Sequence, residues 1–167
     1  MTCVRAFLFA AAATAAIIGC APPAAKPVDT SADVAALKKM QDRELVAVSS
    51  GNVDTALTPY AADIVMMPPG EPAITGTDAL RKWFEAFYKD ASASGEYTSA
   101  DVQVAGDWAV VRYAANLTFT PKKGGKSTTD KIKGIHIFRR QADGGWKIAQ
   151  DTWNSDGAPP PEPAKKK

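Results

Sequence analysis

Two regimes of hydrophobic spacing divide the chain. Up to about residue 90 the apolar positions recur at helical intervals, and after Ser94-Gly95 they alternate with polar ones. Val34, Leu37, Leu45 and Val48 share a face that excludes Lys38, Lys39, Asp42 and Arg43, which predicts a first helix from about Ser31 to Ser50. Thr30 with Asp33 gives it a weak capping signal, and Gly51-Asn52 ends it and caps the next helix. That second helix, Val53 to about Tyr60, is short and disturbed by Pro59. Asp63 to Met67 reads as a brief strand closed by Pro68-Pro69-Gly70. Thr77 caps a third helix reaching about Lys89, with Leu80, Trp83, Phe84 and Phe87 at the i, i+3, i+4, i+7 spacing of a buried stripe.

Beyond Gly95 four strand-like runs follow, about Tyr97–Ala105, Trp108–Thr120, Thr128–Arg140 and Trp146–Asn154. Short glycine-bearing turns separate them, at Gly106-Asp107, Lys122–Lys126 and Asp143-Gly144-Gly145, which favours consecutive antiparallel hairpins. In the second run Ala109, Val111, Tyr113, Ala115, Leu117 and Phe119 alternate with Arg112, Asn116 and Thr118, so one face is committed to a core. Helices first and a meander afterwards predict an α+β fold, three helices laid on one face of an antiparallel sheet.

The first nineteen residues follow a different logic. Arg5 precedes an apolar run from Ala6 to Ile18, too short to span a bilayer, and Ile17-Ile18-Gly19-Cys20 matches a bacterial lipobox. Residues 1–19 therefore read as a lipoprotein signal, Cys20 as the lipidated residue, and 20–30, rich in Ala and Pro, as a tether. Ala21, in place of Asp, favours the periplasmic face of the outer membrane over inner-membrane retention. Residues 31–156 hold the folded domain, and 157–167 form a Pro-rich, Lys-tipped tail. A net charge of +2 gives no electrostatic reason to expect nucleic acid as a partner. With Cys3 lost in the leader and Cys20 acylated, neither a disulfide nor thiol catalysis is expected in the domain.

Gly51-Asn52-Val53-Asp54 with Tyr60-Ala61-Ala62-Asp63, then Pro69-Gly70 through Gly76-Thr77-Asp78-Ala79-Leu80, then Asp143 to Ala149 and Asp151-Thr152-Trp153-Asn154, occur in a particular order and spacing. In these segments the chain resembles the nuclear-transport-factor-2-like superfamily, and within it the SnoaL-like and ketosteroid-isomerase-like domains. The resemblance covers nearly all of Ser31 to Asp156. It implies a strongly curved sheet wrapped around helices to leave a conical pocket, and often a homodimer through the convex sheet face. It does not fix function, because this scaffold hosts isomerases, cyclases, dehydratases, hydrolases, binding modules and assembly domains.

A ketosteroid-isomerase-type reaction uses an Asp base and an oxyanion hole of Tyr and protonated Asp. Tyr60 and Tyr113 are candidate donors, and Asp63 and Asp151 candidate carboxylates, but no second acid stands in the third strand at Tyr113-Ala114-Ala115-Asn116. The Asp-Arg-Asp network of the epoxide-hydrolase variation has Arg112 available without evident partners. His136, the one histidine, is the side chain able to exchange protons near neutral pH, against the plainer reading of a hydrogen-bonded strand residue. The catalytic candidates are thus His136, Asp151, Tyr113 and Asp63. Asp151 and Asn154 read equally well as groups that tie down the last strand.

One His without usable Cys or carboxylates at ligand spacing argues against a metal site. No phosphate-cradling loop, nucleophile elbow or zincin helix is present, and no cofactor is expected. The Asn116-Leu117-Thr118 sequon falls in a strand behind a bacterial signal and is discarded. Most aromatics, Trp108 and Trp146 among them, are expected in the core. Tyr60, Met66, Trp83, Phe87, Tyr113 and Trp153 are the expected pocket lining, with Met66, Met67, Pro68 and Pro69 at its rim. The expected function is binding of a small apolar or amphipathic molecule by a membrane-anchored domain. Acid–base catalysis and a ligand-free dimeric assembly module are the alternatives.

Overall fold

The computed structural model describes residues 29–157; the leader, Cys20, most of the tether and nearly all of the tail lie outside the described residues. Three helices, α1 (Ser31–Ser49), α2 (Val53–Leu57) and α3 (Thr77–Asp90), accompany six strands. These are β1 (Tyr60–Met67), β2 (Ile74–Thr75), β3 (Ala91–Ala105), β4 (Trp108–Pro121), β5 (Thr128–Arg140) and β6 (Trp146–Ser155). One sheet runs in the order β2-β1-β6-β5-β4-β3. The α+β arrangement expected from the sequence is the one observed, with helices over one face of a curved, mostly antiparallel sheet.

Several local expectations are corrected. The sheet is not wholly antiparallel, because β1 lies parallel to β6. Helix α2 stops at Leu57 instead of reaching Tyr60, since Pro59 cannot supply a helical N–H; its buried ring precedes β1, which starts at Tyr60 rather than at Asp63. Gly76, not Thr77, is the N-cap of α3, and Thr30 makes no side-chain cap on α1. Asp33 is engaged instead by Arg140, which donates to both of its carboxylate oxygens at 2.9 and 2.7 Å. The break read at Ser94-Gly95 does not exist, and β3 runs through it from Ala91. A Cβ at Gly95 would collide with the Asn116 carbonyl, so this glycine marks close strand approach and not a turn. The two-residue strand β2 was too short to carry any periodicity.

The core forms where α1 and α3 meet the inner sheet face. Leu37, Ile64, Leu80, Phe84, Val111, Phe138 and Ile148 are at most 1% exposed. The alternation in β4 holds: Ala109, Val111, Tyr113 and Ala115 are buried and Arg112 is exposed. Trp146 is buried, with the Arg140 guanidinium 4.2 Å over its ring. Trp108 is a correction: it sits 44% exposed on the outer face beside Val110 and Ile135.

Candidate functional site

Between α1, α3 and the inner sheet face lies a cavity of about 90 Å³. Tyr60, Met66, Trp83, Phe87, Tyr113 and Trp153, the six residues proposed from the sequence, all line it. Met67 instead faces outward at 38% exposure, and Pro68 and Pro69 do not line it. Its size is below the roughly 300–1,000 Å³ of drug-sized pockets. It suits a single small ring or a branched aliphatic chain.

Two classes of side chain divide the lining. Trp83 and Phe87, one helical turn apart on α3, stack with centroids 5.6 Å apart and planes 4° apart. Phe87 meets Phe119 of β4 edge-on at 6.2 Å. These aromatics are half-buried and form the outer wall, whereas Glu44, His136 and Asp151 are under 10% exposed and form the floor. Wall and floor together make an apolar cup with an ionisable base.

The floor is assembled across the sheet. His136 on β5 lies directly opposite Asp151 on β6, with Nε2 3.1 Å from Oδ1. Asp151 points inward because β6 carries an extra residue: Ile137 pairs with Gln150 but Phe138 pairs with Ile148, which leaves Ala149 as a bulge. Since strand side chains alternate, Gln150 would take the inner position and Asp151 the outer one if Ala149 were paired regularly after Ile148 instead of bulging. Tyr113 on β4 donates weakly to the same Oδ1 at 3.5 Å. Its ring lies opposite Gly134, where a Cβ would stand 2.5 Å from the Tyr113 hydroxyl. Only a residue without a side chain leaves Tyr113 that route to Asp151.

Helix α1 contributes two polar groups that sequence reasoning missed. Gln41 and Glu44 fall at i+4 and i+7 from Leu37 and share its buried face. The available signal was their interruption of the Leu37–Val48 stripe, which a period count reads as noise. Glu44 accepts from the Tyr60 hydroxyl at 2.9 Å and from the Tyr97 hydroxyl at 2.6 Å, one on each oxygen. Gln41 Oε1 lies 3.0 Å from His136 Nδ1 and accepts from it, while Gln41 Nε2 is the one buried side-chain nitrogen or oxygen without a partner among the described residues. With Nδ1 donating to Gln41, the proton of the His136–Asp151 contact lies between Nε2 and Oδ1.

Burial and charge set the acidities here. Burial alone would push the His136 imidazole down, but the Asp151 carboxylate, its hydrogen bond and Glu44 outweigh that, and the pKa stands above its ordinary value. Burial pushes Glu44 up despite the opposing pull of His136 and the tyrosine hydroxyls. Tyr60, Tyr97 and Tyr113 are all held neutral, first by burial and then by the neighbouring carboxylates.

Of the sequence-derived catalytic candidates, His136, Asp151 and Tyr113 converge here and Asp63 does not. Asp63 lies outside and accepts both Arg139 amino groups, at 2.5 and 2.9 Å. Arg112 is likewise outside and pairs with Asp101 at 2.6 Å, so no Asp-Arg-Asp network forms in the cavity. Asn154 is exposed, and of the two last-strand candidates only Asp151 meets the cavity. Among the described residues no group of three or more His, Cys, Asp and Glu is arranged to hold a metal ion.

Residues 42–150 match the SnoaL-like domain family, and the chain belongs to it. Two of the solved structures that the chain resembles are themselves described as NTF2-like. A ketosteroid isomerase-like protein from Erwinia carotovora atroseptica SCRI1043 superposes with a TM-score of 0.68 at 25% identity, covering 77% of this chain and 99% of that one. A candidate dehydratase of the NTF2-like family from Streptomyces avermitilis gives 0.68 at 19% identity, over 76% and 99% of the two chains. A candidate scytalone dehydratase from Novosphingobium aromaticivorans DSM 12444 gives 0.69 at 15% identity, over 75% and 85%. At those identities the last two share the fold alone. No curated protein matches the sequence.

Proposed function

We propose that this domain binds a small, mostly apolar or amphipathic molecule in the cavity, body against the aromatic wall and polar end on the floor. The supporting observation is the division of one cavity into a Trp83–Phe87–Phe119 wall and a buried Glu44–His136–Asp151 floor. A pocket of apolar walls with a few convergent polar groups is the usual make-up of a ligand site. Native mass spectrometry and thermal unfolding of the full-length protein against a panel of small metabolites test the reading. A ligand at a hundredfold excess over Kd raises stability by about 2.7 kcal/mol. The absence of both a bound mass and a shift across a broad panel overturns it.

Acid–base turnover of the isomerase, cyclase or dehydratase kind is the second reading. It draws on the 3.1 Å His136–Asp151 contact inside the same cavity, a geometry suited to holding and moving a proton. Conversion of a bound compound, lost in both Asp151→Asn and His136→Gln, would establish it over simple binding.

The rest of the reading concerns placement. Cys20 is the lipidated N-terminus and tethers the domain to a bacterial membrane, in the favoured case the periplasmic face of the outer membrane. No helix among the described residues is long and apolar enough to cross a membrane. A second copy of the chain packs on the outer sheet face, where Trp108, Val110 and Ile135 are 44%, 39% and 40% exposed. An assembly role without any ligand is the reading that a failed ligand search would leave.

A further inference from the structure

The hydrogen-bond inventory of the cavity floor is lopsided. Tyr60 and Tyr97 spend their hydroxyl protons on Glu44, His136 spends its two N–H groups on Gln41 and Asp151, and Tyr113 directs its proton at Asp151. Gln41 Nε2, the one buried side-chain donor without a partner among the described residues, does not line the cavity, so what remains facing it is acceptor capacity. Each carboxylate offers about four lone-pair sites. Two of those on Glu44 are filled, and Asp151 Oδ2 accepts nothing among the described residues. The charge inventory runs the same way. Two carboxylates face one imidazole, and among the described residues no Lys or Arg lines the cavity. The imidazolium offsets one carboxylate, which leaves the other, when ionised, without a counter-charge.

We propose that the cavity takes a small apolar molecule ending in a protonated amine, the ammonium seated at Glu44 and Asp151 and the body against Trp83 and Phe87. An ammonium brings three donors and a positive charge to a floor whose cavity-facing donors are spent and which holds two carboxylates to one imidazole. The aromatic faces around it attract a cation further. A carboxylate in the same place would meet acceptors and like charge, and a ligand with only an acceptor would find no spare hydrogen facing the cavity. The burial that raises Glu44 is relieved when a cation settles beside it, so binding favours its ionised form.

This inference rests on the ligand-binding reading above, and the test separates the two. Benzylamine, benzonitrile and benzoate have nearly one shape and present a cation with donors, a neutral acceptor and an anion. Each is titrated calorimetrically into the full-length protein at neutral pH. Benzylamine is expected to bind at least tenfold more tightly than benzonitrile, equivalent to about 1.4 kcal/mol, with benzoate weaker still. Glu44→Gln is expected to remove most of that preference while benzonitrile binding stays within twofold. Equal or tighter binding of benzonitrile or benzoate by the wild type overturns the ammonium inference and leaves the cavity a ligand site. Binding of none of the three by the folded protein overturns the ammonium inference, and failure of the broad metabolite panel as well overturns the ligand reading. Because the three probes are ranked on the wild type, the result stands even where Glu44→Gln fails to fold.

Discussion

His136 is the chain's one histidine, so a single imidazole resonance reports on the whole cavity floor. Its pKa is expected above the ordinary 6.5, read by NMR titration. The sign of the stability effect follows. The folded protein holds the imidazolium proton more tightly than the unfolded chain, so this contribution is complete below pH 6.5 and is lost as pH rises through the raised value. Glu44 acts with the same sign from 4.5 upward, because its folded-state pKa is also raised. Chemical denaturation is therefore expected to show stability falling from mildly acidic to alkaline pH, with a shallower fall in His136→Gln; a rise over that interval would contradict the assignment. Gln41→Leu removes the acceptor for Nδ1–H and should lower the His136 pKa, whereas a purely space-filling Gln41 would leave it unmoved. Gly134→Ala forces a methyl against the Tyr113 hydroxyl and is expected to cost about 1–3 kcal/mol. At this scale the sequence was half legible. His136, Asp151 and Tyr113 stood out by type, but Gln41 and Glu44 look like ordinary polar helix residues, and only the sheet opposite makes them buried.

Helix α3 shows how one element serves two purposes. Leu80, Phe84 and Tyr88, spaced by four, are buried in the core, with Phe84 also meeting the cavity, while the half-buried Trp83 and Phe87 form its outer wall. The stripe read from the sequence, Leu80, Trp83, Phe84 and Phe87, mixed members of both sets, left out Tyr88 and could not divide them, since periodicity gives a face and not its neighbour. The division makes a contrast. Phe84→Ala empties a fully buried site and is expected to lose about 3–5 kcal/mol of stability. Trp83→Ala is expected to cost much less stability but to weaken any cavity ligand at least tenfold. Equal stability losses for the two would place Trp83 in the core and remove it from the site. Strand β6 hid a different kind of information. Its composition announced a strand, but the Ala149 bulge that turns Asp151 inward depends on pairing with β5, which local sequence does not encode. Helix ends were misread where Pro59 and Gly76 acted through backbone geometry and not through hydrophobic spacing.

Across the whole molecule the order of elements was enough to give the α+β class and, with the segment resemblances, the family. The meander from β3 to β6 and the helices before it leave few alternative ways to cover one sheet face. The parallel β1–β6 pairing escaped because it joins distant parts of the chain. The exposed outer-face band leads to a dimer prediction: Ile135→Asp should convert a dimer to a monomer in light scattering with thermal stability of the domain retained, and a wild-type monomer at micromolar concentration would rule the interface out. The anchor is tested separately, since Cys20→Ser should abolish labelling by palmitate and membrane association. The central claim is that a ligand enters the cavity between α3 and the sheet and reaches its ionisable floor. The most direct measurement is the His136 imidazole resonance of the full-length protein, followed while benzylamine or any compound that raises its melting temperature is added. A saturable shift of that resonance, tracking the fraction bound, is the predicted result. A stabilising compound that leaves His136 unmoved while displacing resonances of Trp108 and Ile135 on the outer face would contradict it.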